Sequence, residues 1–235
     1  MIVKKFFFPF LLLFLFSLTA KSKIQSGTLN LESSKFSENG LIALKGEWTF
    51  YWKKFLSPED LKNKELLKKG TSFKVPGNWT DKLNGSLPKF GYGTFLLNIQ
   101  GATKGTDLSL ILKDISSSFQ AFIIQGNEIK PLGQKGKAAT TKKDSIPEYG
   151  EFISHFKVKS PSFTILIHLA NFHHKKGGLN NTPTLGLKNT IQENKKIENY
   201  QFSFFLFLFL IISINHFIIF FQRKEDKESL WFGLF

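Results

Sequence analysis

The feature that most constrains this chain is an uncharged, apolar segment of 20 residues from Phe202 to Phe221. Sixteen of these residues are Phe, Leu or Ile, and the basic pair Arg223-Lys224 follows almost directly. As a helix rising about 1.5 Å per residue, the segment is roughly 30 Å long, which is the thickness of the hydrocarbon core of a bilayer. The alternative is a buried helix of a soluble protein, but such helices rarely lack charge altogether. The segment therefore predicts a transmembrane helix.

The N-terminus, residues 1–20, has the layout of a secretory signal peptide. Lys4 and Lys5 precede an apolar region from Phe6 to Phe16, and small residues follow up to Ala20. An apolar region this short is typical of a signal peptide rather than of a membrane span. Leu18 stands where a small residue is usual, so retention as an uncleaved anchor is the alternative. In either case, the residues that follow are expected to be exported.

Together the two apolar segments predict the topology. We expect a single-pass protein of the cytoplasmic (inner) membrane with its main domain, residues 21–195, on the periplasmic or extracellular side. Residues 222–235 would then lie in the cytoplasm. The exported part is long enough for one domain with its own core. The sequence has no cysteine, which excludes disulfides, thiol catalysis and thiolate metal sites.

The formal net charge of +14 raises the question of a polyanionic partner. The lysines are scattered and are not interleaved with aromatic residues of the kind that stack on bases, so we expect no nucleic-acid binding. We expect instead a solvated basic surface that faces anionic membrane lipid or envelope polymers.

Short β-like runs separated by turn residues dominate the exported part, and many short strands with a single helix favour an antiparallel β-sandwich. The predicted strands are Thr28–Leu31, Leu41–Leu44, Glu47–Trp52, Phe73–Val75, Thr94–Gln100, Leu108–Leu112, Phe119–Ile124, Phe152–Lys157, Ser162–Leu169 and Thr184–Leu187.

One short helix is predicted in this part of the chain. Ser57 is a good N-cap, Pro58 suits the first helical position, and leucines form an apolar face up to Gly70. The lysine-rich segment from Gly133 to Gly150 is too polar for a core strand and is predicted to be a long exposed loop.

Trp48, Phe50 and Trp52 share one side of a predicted strand. An exposed aromatic row of this kind suits stacking against sugar rings. We expect a core face instead, because large aromatics are the main material for a sandwich core without disulfides.

Several segments, taken in order, match one known family. They are Gly46–Lys54 with Leu56–Asp60, Val75–Trp79, Gly91–Phe95, Asp114–Ser118, Asn171–Gly178 and, near the C-terminus, His216, Arg223-Lys224 and Trp231–Phe235. In this order they resemble the exported domain, the first membrane helix and the start of the second in seven-transmembrane receptors with diverse intracellular signalling modules (7TMR-DISM).

The resemblance implies a jelly-roll, galactose-binding-like domain akin to the sugar-binding domain of family 2 glycoside hydrolases. It also implies a ligand-sensing receptor module for a small molecule or carbohydrate. Since the sequence stops at Phe235, we expect a truncated module without its output domain, with membrane helices of a split receptor or a second copy as partners. The alternative is a membrane-tethered carbohydrate-binding protein without signalling output. Gln125-Gly126-Asn127 departs from the Asn-Gly turn usual in the sugar-binding relatives.

Five residues are the candidate ligand contacts: Trp79, Asn171, His173, His174 and Lys175. The turn Val75–Trp79 is expected to position its tryptophan, and the polar segment after the apolar strand Phe163–Leu169 is expected at an end of the sandwich, where binding loops are mounted. An alternative role is internal, with Asn171 and one histidine satisfying backbone groups of the loop.

No catalytic residue, cofactor or metal ion is predicted. Neighbouring histidines on a strand point to opposite faces, which argues against a metal ion shared by His173 and His174. No pair of acids stands out as the two carboxylates that a glycosidase needs. We therefore expect a protein that is not an enzyme.

Overall fold

The computed structural model describes residues 24–32, 40–82, 87–115, 117–223, 225 and 227–234. The predicted signal peptide, residues 1–20, lies outside these ranges, as do Ser116, Lys224 and Phe235 of the segments that carry the family resemblance.

Two antiparallel sheets pack face to face, which confirms the predicted jelly-roll type of β-sandwich. The larger sheet has the order β4-β3-β5-β10-β7-β8, with β1 pairing parallel to β5, and the smaller sheet has the order β2-β11-β6-β9. The strands are β1 Thr28–Asn30, β2 Leu41–Ala43, β3 Gly46–Trp52, β4 Thr71–Val75, β5 Gly91–Gln100, β6 Asp107–Leu112, β7 Ser118–Gln125, β8 Glu128–Lys135, β9 Phe152–Lys157, β10 Phe163–Asn171 and β11 Thr184–Leu187.

The inner faces of the two sheets form one hydrophobic core. Trp48 and Phe50 are fully buried there, and Trp52 packs against them from a half-buried position, so the aromatic row is a core face as predicted. Phe50 lies 4.5 Å from Phe95 between ring centroids. Aromatic side chains with a large buried area therefore supply much of the cohesion of a domain without disulfides.

Two local predictions need correction. The run Ser57 to Gly70 is not one helix but a 3-10 turn, Asp60–Lys62, followed by the short helix α1, Lys64–Leu67. Ser57 Oγ does accept a hydrogen bond from the Asp60 amide (3.2 Å), but the Asn63 side chain caps a new helical turn by accepting from the Leu66 amide at 3.1 Å. The chain therefore restarts its helix at Asn63.

The loop predicted from Gly133 to Gly150 begins three residues later in the structure. Its first three residues complete strand β8, which lies at the edge of the larger sheet. Pro131 is tolerated in this strand because the edge position leaves one side of the backbone unpaired. Residues 136–150 are the loop proper, and a short helix that was not predicted, α2, spans Trp79–Lys82.

The transmembrane candidate begins inside the domain. Helix α3, Lys188–Gln222, follows β11 directly, and its first turns pack on the outer face of the smaller sheet, where Ile191 is buried. Among the described residues it is the one helix long and apolar enough to span a membrane. The predicted span, residues 202–221, thus forms the C-terminal part of a longer continuous helix.

A final helix, α4 (Lys227–Leu234), lies against α3. The Ser213 hydroxyl donates a hydrogen bond to the Gly233 carbonyl, and the His216 ring stacks on Phe232 with centroids 5.5 Å apart. Two of the polar side chains within the apolar segment thus face α4, as polar groups in a membrane helix are expected to face a neighbouring helix.

The direction of α3 defines two ends of the sandwich. Ile191 contacts Gly186 in the middle of the smaller sheet, whereas Lys195 reaches Glu151, which immediately precedes β9. We call the end that α3 passes as it leaves the domain the exit end; it carries residues 88–90, 113–115, 136–150 and 172–183. The opposite end carries residues 101–106, 126–127 and 158–162.

Candidate functional site

Trp79, the first predicted contact residue, lies in the hydrophobic core. Its side chain is fully buried, and its indole N–H donates to the carbonyls of Pro88 (3.1 Å) and Lys89 (3.3 Å). A β-carbon on Gly177 would overlap the indole, so glycine at that position is what allows the ring to fit. The structure thus gives Trp79 a packing role, and we do not retain it as a direct ligand contact.

Asn171 is also buried and holds the loop after β10 in shape. Its amide nitrogen donates to the carbonyls of Lys89 (3.0 Å) and His174 (2.9 Å), and its Oδ1 accepts from the His174 amide at 3.1 Å. All of these partners are backbone groups. This is the internal role that the sequence left open, and it leaves no side-chain polar atom of Asn171 for a ligand.

The other three predicted residues lie at the surface of the exit end. His173 and Lys175 are exposed, and His174 is half-buried. His173 Nε2 lies 3.2 Å from the Ser145 carbonyl, while His174 contacts the Tyr149 hydroxyl. The two imidazoles therefore hold different partners in the 136–150 loop. Their contact with a ligand stays a prediction.

A different cavity lies on the outer face of the larger sheet, toward the opposite end. We call it the outer-face pocket; its volume is about 360 Å³. One wall is the segment that contains the 3-10 turn and α1, and another is the turn between β7 and β8. Its lining consists of Thr49, Tyr51, Pro58, Leu61, Lys62, Leu67, Leu96, Asn98, Ile124, Gly126, Asn127, Ile129 and Thr164.

Polar and apolar side chains both line the outer-face pocket, and Lys62 is the one charged residue among the described residues of the lining. Asn98 Oδ1 accepts a hydrogen bond from the Thr164 hydroxyl at 2.8 Å, across the pairing of β5 with β10. The Tyr51 hydroxyl donates to the Leu67 carbonyl (2.9 Å), and burial raises the pKa of Tyr51. The Asn98 amide nitrogen and the second lone pairs of the hydroxyls are suited to hydrogen bonding with a neutral ligand.

An aromatic cluster closes the same outer face toward the exit end. His168 stacks against Phe55 (4.7 Å between centroids) and meets Phe122 edge-on (5.1 Å). Its Nε2 donates to the Leu56 carbonyl at 3.1 Å, and burial lowers the pKa of His168 to about 4. The imidazole is therefore neutral at physiological pH and acts as a packing group rather than as a charged contact.

The sequence did not predict the outer-face pocket, because its lining comes from six separate elements and from turns between them. The one signal in the sequence is the turn Gln125-Gly126-Asn127, which stands where the family that the chain resembles has an Asn-Gly turn in its sugar-binding members. Gly126 and Asn127 do line the pocket. Among the described residues, no group of His, Cys, Asp and Glu is arranged to hold a metal ion.

Neither family models nor curated proteins match this chain. Solved structures do. A family 2 (GH2) β-galacturonidase from Eisenbergiella tayi, bound to galacturonate, matches 63% of this chain and 24% of its own length, at 13% identity and a TM-score of 0.43. A β-glucuronidase from Ruminococcus gnavus, in complex with uronic isofagomine, matches 63% of this chain and 28% of its own length, at 10% identity and a TM-score of 0.43. The chain thus spans about a quarter of the length of these enzymes, and the likeness is one of fold alone.

Proposed function

We propose that this chain is a membrane-tethered binding module that holds a small, neutral, hydroxylated molecule of the carbohydrate class in the outer-face pocket. The observation that carries the proposal is the pocket itself, about 360 Å³ with mixed polar and apolar walls. Small-molecule sites in proteins range from roughly 300 to 1,000 Å³, so this volume suits one or two sugar rings.

The distribution of groups in the pocket suits a sugar. A sugar ring presents apolar C–H faces and a rim of hydroxyls, and Leu96, Ile124 and Ile129 offer apolar surface next to the amides of Asn98 and Asn127. Each amide can donate and accept, as can each hydroxyl of a sugar. Of the described residues that line the pocket, Lys62 alone is charged, and a single lysine among so many neutral groups favours a neutral ligand over a phosphate or a carboxylate.

A panel of neutral monosaccharides and disaccharides, screened by thermal shift on the full chain in nanodiscs, tests the proposal. A ligand that binds only the folded state raises the midpoint. Asn98→Ala should weaken binding about tenfold, since one hydrogen bond is worth roughly 1–1.5 kcal/mol. Ile124→Trp should abolish binding by filling the pocket. Gln134→Ala, on the exposed edge strand, is the matched control and should bind normally.

Three outcomes would contradict this assignment. One is the absence of any stabilising sugar, and another is undiminished binding to Ile124→Trp. The third is loss of binding in His174→Ala with normal binding in Asn98→Ala, which would move the ligand to the exit end and favour the contacts first predicted from the sequence.

A second candidate function is that of a receptor module that passes binding on to the membrane, as the resemblance to seven-transmembrane receptors implies. The specific observation in its favour is that α3 continues β11 without a linker and is tied to the domain by Glu151. Single-cysteine cross-linking at Phe205, with and without ligand, tests it. A ligand-dependent change in the cross-linking of α3 supports signalling. If the protein binds ligand and the cross-linking pattern stays the same, α3 serves only as a membrane anchor.

A further inference from the structure

The direction of α3 brings the exit end of the sandwich close to the membrane. The helix runs from the middle of the smaller sheet toward this end, where Lys195 lies 2.5 Å from Glu151. Lys195 precedes Phe202, the start of the apolar segment, by seven residues. Seven residues of helix are about 10 Å long, only a few ångströms more than the headgroup layer of roughly 5–8 Å on each side of a bilayer. The loops of the exit end therefore lie beside the bilayer surface.

These loops carry an excess of unpaired positive charge. Among the described residues, six exposed lysines of the exit end have no ion pair: Lys89, Lys137, Lys142, Lys143, Lys175 and Lys176. The carboxylates at this end do not offset these charges: Glu148 pairs with Lys135 (3.0 Å) and Glu151 with Lys113 and Lys195, which leaves Asp114 and Asp144 against six lysines.

The same loops expose apolar side chains. Phe90 is 51% exposed, Ile146 59% and Tyr149 57%, the largest values for apolar side chains among the described residues of the sandwich. The loops also contact one another, through the Asn171 bond to Lys89 and the His173 contact with Ser145. Lysines interspersed with exposed apolar and aromatic residues are typical of surfaces that lie in a membrane interface.

We propose that the exit end docks on the anionic phospholipid headgroups of the bilayer that α3 enters. Lysines attract an anionic leaflet within about a Debye length of the surface, and the geometry of α3 holds these lysines within that range. The docking surface lies at the end opposite the outer-face pocket. The proposal therefore stands independently of the proposed function and leaves that pocket facing away from the membrane.

The absence of cysteine from the sequence makes a clean labelling experiment possible. The full chain is labelled with a fluorophore at Thr140→Cys, in the exit end, or at Asn127→Cys, in the opposite turn, and both sites are exposed. Each protein is reconstituted into nanodiscs that contain a headgroup-linked quencher, made either of phosphatidylcholine or of an equal mixture with phosphatidylglycerol. We expect strong quenching at position 140 in the anionic discs, weaker quenching in the neutral discs and little quenching at position 127 in either.

Charge variants then test the electrostatic basis of docking. Replacing Lys142, Lys143 and Lys175 by Gln should remove the extra quenching in anionic discs, as should 1 M salt, which shortens the Debye length from about 10 Å at 0.1 M to about 3 Å. The matched control replaces Lys104, Lys130 and Lys157, which lie away from the exit end, and should change nothing.

Equal quenching at both label positions would overturn the proposal. So would quenching at position 140 that is the same in neutral and anionic discs, or that survives the three exit-end substitutions. The proposal would also be overturned if a soluble polyanion such as polyglucuronate changed the fluorescence of the label at position 140 while anionic lipid did not. That result would assign the lysines to a soluble partner.

Discussion

Glu151 joins the sandwich to the helix that leaves it. One of its carboxylate oxygens lies 2.5 Å from Lys195 Nζ on α3, and the other lies 3.2 Å from Lys113 Nζ at the end of β6. Burial raises the pKa of Glu151, but the hydrogen bonds from Lys195 and Lys113 outweigh it and hold the pKa below its usual value. A single carboxylate thus ties the helix to the smaller sheet.

Replacing Glu151 by Gln should loosen this attachment without unfolding the domain. The group is partly exposed, so we expect a loss of about 1 kcal/mol or less in the free energy of unfolding. Amide hydrogen exchange should rise in the first turns of α3. Glu128→Gln, which breaks a pair with Lys159 at the opposite end (2.6 Å), is the control and should leave exchange in α3 unchanged. Unaltered exchange in both variants would contradict a role of Glu151 in holding the helix.

Gly177→Ala should destabilise the domain through Trp79. The added methyl group would overlap a fully buried indole, and overpacking of this kind typically costs about 1–3 kcal/mol. Because the backbone at Gly177 does not require positive φ, the effect is steric. In a double-mutant cycle with Trp79→Phe, measured by thermal or urea unfolding, the smaller ring should recover part of the loss. Strictly additive effects would contradict the overlap.

Asn171→Ala should open the loop after β10. Three hydrogen bonds to backbone groups disappear, which predicts a loss of about 2–3 kcal/mol and faster tryptic cleavage at Lys175 and Lys176. Asn171→Asp should fail to restore protection, because a carboxylate cannot donate to the carbonyls of Lys89 and His174. Asn180→Ala, whose amide makes one longer bond to Lys176 (3.3 Å), is the control. Equal cleavage rates in Asn171→Ala, Asn171→Asp and Asn180→Ala would show that Asn171 does not hold the loop in place.

His168 should make stability depend on pH. Burial lowers its pKa to about 4 in the folded domain, against roughly 6.5 in an unfolded chain. Between these values the unfolded state binds more protons, so the free energy of unfolding falls as the pH is lowered from about 6.5 to about 4, by at most about 3 kcal/mol. His168→Gln keeps a donor toward Leu56 and should flatten this part of the profile.

Unfolding midpoints of the two proteins, compared at several pH values, measure this dependence. Carboxylates that titrate in the same range are common to both, so the difference between the profiles isolates His168. The exposed His155, replaced by Gln, is the control and should retain the slope of the unmodified protein. Parallel profiles for His168→Gln and the unmodified protein would rule out the predicted contribution.

The parts of the fold that the sequence predicted are those with strong local signals. The strand Phe163–Asn171 is almost continuously apolar because it is central in the larger sheet, and both of its faces are covered. Strand β8 was missed because an edge strand tolerates Pro131 and exposed polar residues, so its composition resembles that of a loop. The helix over Ser57 to Gly70 was predicted too long because Asn63 ends one turn and caps the next.

The site was less predictable than the fold, for a physical reason. Polar residues next to an apolar strand attract attention in a sequence, yet the side-chain amide of Asn171 bonds only to backbone groups of Lys89 and His174. The outer-face pocket depends on the pairing of β5 with β10 and on the segment that folds over them. Asn98 and Thr164 are ordinary residues until strand register places them side by side.

Helix α3 is unbroken from the surface of the sandwich through the predicted span. An α-helix has 3.6 residues per turn, so the number of residues between the sandwich and the span also sets how the two are rotated relative to each other. Inserting one residue after Tyr200 would rotate the sandwich by about 100° relative to the membrane-embedded part. The spacing between Lys195, which pairs with Glu151, and Phe202, the first residue of the predicted span, therefore sets the rotation of the sandwich about the helix axis as well as its height above the membrane. This rotation determines which edge of the sandwich faces a neighbouring molecule in the plane of the bilayer.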